Sequence, residues 1–204
     1  GGFAALSPDD WDALRFTVLQ ATLSSVLSVA LAVPVARALA RRRFAGRRWL
    51  ISVMGAPFIL PVIVAVMGLI ALFGQGGVVN RALALAGLEP VDIYGLHGVV
   101  LAHVFFNLPL AVRLLLQGWL EMPAERYRLA ASLGLGRRAM WRTIDGPVVL
   151  RLAPGAAAVI FVICLTSFAV ALTLGGGPRA TTVELAIYQA MRFDFDLARA
   201  ATLG

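Results

Sequence analysis

Four long apolar stretches, over residues 16–40, 50–73, 96–116 and 154–174, alternate with shorter polar segments, and a further apolar run begins near 197. Each of the four can cross a hydrocarbon layer as a helix, which takes about 20 residues at about 1.5 Å rise each. None has the strict two-residue alternation of a membrane strand, so helices that satisfy their own backbone groups are expected. The pattern predicts an all-α, polytopic membrane protein. Shorter helical patterns fall between spans, at 78–86 and 182–191, beside the turn signals Gly74-Gln75-Gly76-Gly77 and Gly175-Gly176-Gly177-Pro178.

Composition agrees with the pattern. The chain has 204 residues, 60% hydrophobic and only 14% charged, with a mean hydropathy of +0.85. A soluble domain of this size could not cover so much apolar surface, whereas a bilayer removes the need. The net charge of +7 would suggest nucleic acid in a soluble protein, but all 18 cationic residues are Arg and most lie in two short loops between spans. No nucleic-acid partner is expected. Cys164 stands alone inside an apolar stretch, which excludes an intramolecular disulfide and suits a packing role.

Loop charges alternate in sign and orient the chain. Before the first span, Asp9, Asp10 and Asp12 outweigh Arg15, whereas Arg37, Arg41, Arg42, Arg43, Arg47 and Arg48 follow it with no acid. Residues 74–95 are slightly acidic, residues 121–151 carry six Arg against Glu121, Glu125 and Asp145, and residues 175–199 balance. Loops 41–49 and 121–151 are therefore expected to be cytoplasmic and the N-terminal segment external. The chain starts Gly1-Gly2 without Met and stops at Gly204 as a new apolar run begins, so a fragment lacking an upstream helix is expected.

The loop 121–151 is the most informative segment. Pro123 followed by Glu125 suits a helix start and Gly134 a stop. Over 124–133, Tyr127, Ala130, Ala131 and Leu133 give an apolar side while Glu125, Arg126 and Arg128 supply charge. A second short helix is expected from 137 to 144, ended by Asp145-Gly146-Pro147. Two short helices joined at Gly134-Leu135-Gly136 could be a rigid docking element for a soluble partner or an amphipathic pair on the headgroups.

The spacing resembles the ATPase-docking loop of bacterial ABC importer permeases, whose form is Glu-Ala-Ala, three residues, Gly, nine residues, Ile, one residue, Leu-Pro. Aligned on Gly134, Ile144 and Pro147 take their positions, and Leu129 and Ala130 stand at the two alanines. Arg128 replaces the glutamate and Gly146 the leucine, so no role of that glutamate carries over. Three further stretches, ARRRFAGR at 40–47, LAHVFFNLP at 101–109 and LGGGPRATTVELAIYQ at 174–189, resemble the first half of the thiamine importer permeases over nearly the whole chain. The resemblance implies a truncated helical bundle of the MetI-like ABC importer permease type in the bacterial inner membrane. It also implies an ABC ATPase dimer, a periplasmic substrate-binding protein and a second permease half as partners, with no cofactor on this chain.

Substrate contacts are less legible. Asn107, with Pro109, lies near the middle of the third span, where a pathway lining or a helix–helix hydrogen bond would satisfy its amide. Phe106 offers an aromatic face to a cationic substrate, and Pro61, one turn after Pro57, would bend the second span as a hinge or a static kink. Ser24, Ser25, Ser28, Thr166 and Ser167 can bond back to their own helices, and no acid falls inside the four apolar stretches.

No catalytic or metal-ligating set is evident. A phosphate-binding loop needs Lys, and the chain has none, so ATP hydrolysis is expected on a partner. An intramembrane serine hydrolase lacks a Gly-x-Ser element and an evident serine partner for His97 or His103. A proton-coupled secondary transporter lacks intramembrane acids. Permeases for iron(III) or polyamines remain the nearest alternatives within the importer class.

Overall fold

A computed structural model describes residues 7–55, 60–175, 181–193, 195 and 197–203, without the side chains of 197 and 198. Eleven α-helices occur among the described residues: α1 Pro8–Arg41, α2 Arg47–Val53, α3 Val62–Phe73, α4 Val78–Leu85, α5 Leu96–Leu120, α6 Ala124–Ser132, α7 Arg137–Met140, α8 Gly146–Leu165, α9 Phe168–Leu174, α10 Val183–Arg192 and α11 Leu197–Leu203. A π turn, Trp141–Asp145, joins α7 to α8. Four helical stretches, Pro8–Arg41, Val62–Leu85, Leu96–Leu120 and Arg137–Leu165, are long and apolar enough to cross a membrane.

Helix α1 explains why the chain needs a bilayer. Ala13, Thr17, Gln20, Ala21, Ser24, Ser28, Ala32 and Ala36 recur at three- and four-residue steps and are buried. The opposite side exposes Leu14, Val18, Leu19, Leu23, Val26, Leu27 and Leu31. Small and polar residues face protein while large apolar ones face outward. A soluble helix would reverse this order, and the arrangement suits close helix packing in lipid.

The chain divides into two compact units. One comprises Gly1–Ser24, Leu60–His103 and Val162–Gly204, the other Ser25–Ile59 and Val104–Phe161. In the first, α3 packs against α4 and α9, and α10 packs against α9 and α11. Buried Asn80 ties its connections together: its Nδ2 donates to the carbonyls of Phe73, Gly74 and Val91, and its Oδ1 accepts from the Val91 N–H. Thr182 caps α10 through the Leu185 N–H, and buried Asp10 accepts from Arg199 at 2.6 Å. In the second unit, a Cβ on Gly118 of α5 would overlap the side chain of Leu152 on α8, so these two helices are in close contact.

Three sequence expectations change here. The stretch expected as one span over 50–73 is divided between α2, which ends at Val53, and α3, which starts at Val62. The helix expected to stop at Asp145-Gly146-Pro147 continues into α8 through the π turn. Pro147 falls in the first turn of α8, and the wider turn before it relieves the crowding that its ring imposes on the preceding carbonyls. The span expected over 154–174 is split, with α8 ending at Leu165 and α9 starting at Phe168, and Pro154 lies inside α8. Pro57, and residues 176–180 of the stretch at 174–189, lie outside the described residues.

Candidate functional site

The loop between α5 and α8 is built from local signals. Pro123 caps α6 at φ −59°, and Glu125 in the first turn pairs with Arg128 at 2.8 Å on the exposed side. Arg128, at the motif's glutamate position, thus meets an acid one turn earlier. At the other end the Leu135 N–H reaches the Ala130 carbonyl and the Gly134 N–H the Ala131 carbonyl, both at 3.0 Å. These bonds form a Schellman motif whose left-handed position is Gly134, at φ +63°. Only glycine takes that conformation without strain, which gives this motif position its physical reason.

The five residues singled out for docking do not share one environment. Leu129 is 61% exposed, and Gly134 and Pro147 are also open, whereas Ala130 and Ile144 are buried. Of the apolar side expected from Tyr127, Ala130, Ala131 and Leu133, only Ala130 is buried, while Ala131 and Leu133 are exposed. Leu129 and Leu133, one turn apart among Arg126, Arg128 and Arg137, present apolar surface in a cationic setting.

Behind this surface lies a charge cluster that spacing did not indicate. Asp145, at the end of the π turn, is fully buried. Its Oδ2 accepts from Arg37 Nε at 2.7 Å and Arg41 Nη1 at 3.3 Å, both on α1. Its Oδ1 accepts from Trp119 Nε1 of α5 at 3.0 Å and the Tyr127 hydroxyl of α6 at 3.4 Å. Arg37 also lies over the Trp141 ring, 5.3 Å from its centroid, and Arg41 over the Tyr127 ring at 4.9 Å. Burial, reinforced by the charge of Asp145, holds the Tyr127 phenol above its ordinary pKa, while Arg41 and Arg37 oppose the rise. The one available signal was Arg37 and Arg41 at i, i+4, which place two cations on one side of α1.

A second buried cluster lies in the other unit. His103 of α5 contacts Ser24 of α1 at 3.4 Å through Nδ1 and Ser167, between α8 and α9, at 2.7 Å through Nε2. Gln20 donates to the Cys164 carbonyl at 2.9 Å. The break after Leu165 deprives carbonyls of their helical donors, and Gln20 satisfies one of them. His103 therefore does have serine partners, brought from distant sequence by packing. Both hydroxyls serve one imidazole and no carboxylate bonds to it among the described residues, so the cluster joins helices. Ser24 and Ser167 do not follow the expected bonding to their own helices; Thr166 does, through the Val162 and Ile163 carbonyls. The buried Ser28 hydroxyl finds no partner among the described residues.

The pathway candidates differ in exposure. Asn107 is buried, its neighbour Phe106 is half-buried with its ring edge-on to Phe105, and Pro61 is exposed at the cap of α3. A cavity of about 990 Å³ in the first unit is lined by Asp9, Asp12, Phe16, Gln189 and Arg199 among others, and by none of the three.

The chain is 49% identical to the thiamine transport system permease protein ThiP of Brucella melitensis biotype 1, over 100% of its own length and 38% of that protein's. It is 50% identical to the thiamine transport system permease protein of Escherichia coli K12, over 95% of this chain and 36% of that one. The molybdenum transport system permease protein ModB of Mycobacterium bovis is 32% identical, with 97% of this chain and 75% of that protein covered. The chain belongs to the permease family of ABC importers. It spans less than two fifths of the length of the thiamine permeases it matches. No family model matches it. The same fold recurs in a bacterial ABC transporter involved in the import of alginate, with a TM-score of 0.79 at 18% identity over 97% of this chain and 73% of that one. A second structure, of an alginate ABC transporter in complex with a periplasmic protein, gives 0.73 at 20% identity, covering 96% and 72%. The helical bundle described above thus has the ABC importer permease fold, and its four long apolar helices mark an integral membrane protein.

Proposed function

We propose that this chain is the first half of a permease that imports thiamine or its phosphates across a bacterial inner membrane, powered by ATP hydrolysis on a partner subunit. The observation that carries the transport mechanism is the 121–151 loop. Its Gly134-terminated α6 offers Leu129 and Leu133 to solvent while Ala130 and Ile144 anchor it from beneath. A surface of this kind suits an ATPase dimer, with loops 41–49 and 121–151 in the cytoplasm as their arginines favour. The substrate reading draws on the names of relatives that are 43–50% identical over at least 92% of this chain. A periplasmic binding protein and a second permease half complete the assembly, and this chain needs no cofactor of its own. Within it, Asn107 and Phe106, with Pro61, are proposed to contribute to the substrate path.

The test is a reconstituted complex of the full-length permease, its ATPase and its binding protein. Hydrolysis stimulated by thiamine, with iron(III), polyamines and molybdate inert, is the expected result; stimulation by one of those instead overturns the substrate. Failure of the ATPase to copurify overturns docking. Asn107→Ala is expected to lower uptake with the ATPase still bound, whereas lost expression alone would assign Asn107 to packing.

A further inference from the structure

The docking loop and α1 share one carboxylate. Asp145 divides its two oxygens between different parts of the second unit: Oδ2 binds Arg37 and Arg41 of α1, and Oδ1 binds Trp119 of α5 and Tyr127 of α6. A carboxylate is planar and short, so its two oxygens move together. Displacement of α6 along its hydroxyl bond must either drag the two guanidinium groups or break one side of the cluster. The stacking of Arg41 over the Tyr127 ring adds a direct contact between the same two helices.

The backbone is shaped to put the acid there. Each residue of an α-helix turns by about 100°, so an ordinary turn would rotate Asp145 relative to Ile144 and α8 differently from what is seen. The wider π turn keeps both Ile144 and Asp145 buried ahead of α8. The tight passage falls on Gly146, where a Cβ would come within 2.9 Å of the Trp141 carbonyl oxygen. The departure from leucine at that motif position thus accompanies the placement of Asp145. A buried acid with two arginines has a large desolvation cost, and replacing such a set by apolar residues is commonly neutral or favourable for stability. Stability alone therefore does not account for a charged joint here.

We propose that Asp145 is the positioning residue through which movement of the ATPase-docking loop reaches α1, with Arg37 and Arg41 as its receivers and Tyr127 as its link to α6. This inference rests on the docking reading of the 121–151 loop. Asp145 itself is not a docking contact, because it has no exposed surface. It acts between the contact and the membrane helix.

The experiment measures uptake per ATP hydrolysed in the reconstituted full-length complex carrying Asp145→Asn, which keeps the shape and removes the charge. The ATPase is expected to remain bound and to hydrolyse ATP, while uptake per ATP falls about tenfold, a typical size for coupling between sites. A merely structural role would reduce the amount of complex and every rate together and leave that ratio unchanged, which would overturn the proposal. If Asp145→Asn does not fold, Tyr127→Phe decides. It keeps the ring over Arg41 and removes only the hydroxyl, so a drop of about threefold in the ratio supports the joint and an unchanged ratio overturns it. Failure of the unaltered permease to hold the ATPase is read from copurification instead, and it overturns the docking reading and with it this one.

Discussion

Asp145 and His103 are both buried side chains held by groups from other helices, yet one is a formal charge met by two arginines and the other an imidazole met by two hydroxyls. The partners differ because their surroundings differ. Arg37 and Arg41 stand in the last turns of α1, beside the arginine-rich 41–49 loop, and their side chains remain 27% and 31% exposed. Long cationic side chains can hold a buried acid while their own heads stay near water. His103 lies inside an apolar helix, where its partners are short and uncharged. A neutral imidazole donates from one nitrogen and accepts at the other, so two hydroxyls can satisfy it. A membrane protein can thus bury a charge where arginines reach it from a wet edge, and uses neutral hydrogen bonds elsewhere.

Four measurements, made by thermal unfolding in detergent, would break or sharpen this contrast. Asp145→Ala leaves two guanidinium groups, an indole N–H and a phenol without their acceptor, and a loss of about 3–5 kcal/mol is expected. His103→Ala removes two neutral bonds and a buried ring and should cost less, about 2–3 kcal/mol. A larger loss at His103 than at Asp145 would reverse the argument. Ser167→Ala removes one hydroxyl from the same imidazole and is expected to cost about 1 kcal/mol, with no effect on the Asp145 cluster.

Glu184 of α10 supplies the smallest effect and a third case, an acid with no cation partner among the described residues. Its Oε2 is buried without a partner among the described residues, and burial raises its pKa above the ordinary carboxyl value. The folded protein therefore holds this proton more tightly than the unfolded chain does. Its contribution to stability is complete below the ordinary carboxyl pKa and is lost as pH rises through the elevated folded-state value. The unfolding midpoint should decline over that range, and Glu184→Gln should flatten the decline. An unchanged slope in Glu184→Gln would remove Glu184 from the account.

Much of the 121–151 loop could be read locally because its signals are local. Pro123, Glu125 and Gly134 act on the chain within a turn of themselves, and the Schellman bonds at Gly134 involve only residues 130–135. The continuation of helix through Pro147 was not legible, since proline and the residues before it normally predict an end, and only the π turn makes room. Ser24 and Ser167 illustrate the same limit. A serine in an apolar helix can bond to its own backbone or to another helix, and the choice depends on what packing brings near.

The sequence by itself determined that this protein crosses a membrane with helices, which loops carry the positive charge, and that the 121–151 segment has the form of an ABC importer docking loop. The first two follow from periodicity, span length and charge count, each summed over many residues; the third is a resemblance carried by the spacing of Gly134, Ile144 and Pro147. Only the tertiary structure decided that Asp145 joins α6 to α1 and that His103 joins Ser24 to Ser167. Those pairings span 108 residues from Arg37 to Asp145 and 79 from Ser24 to His103. No local rule connects residues so far apart; the packing of the helices brings them within hydrogen-bond reach.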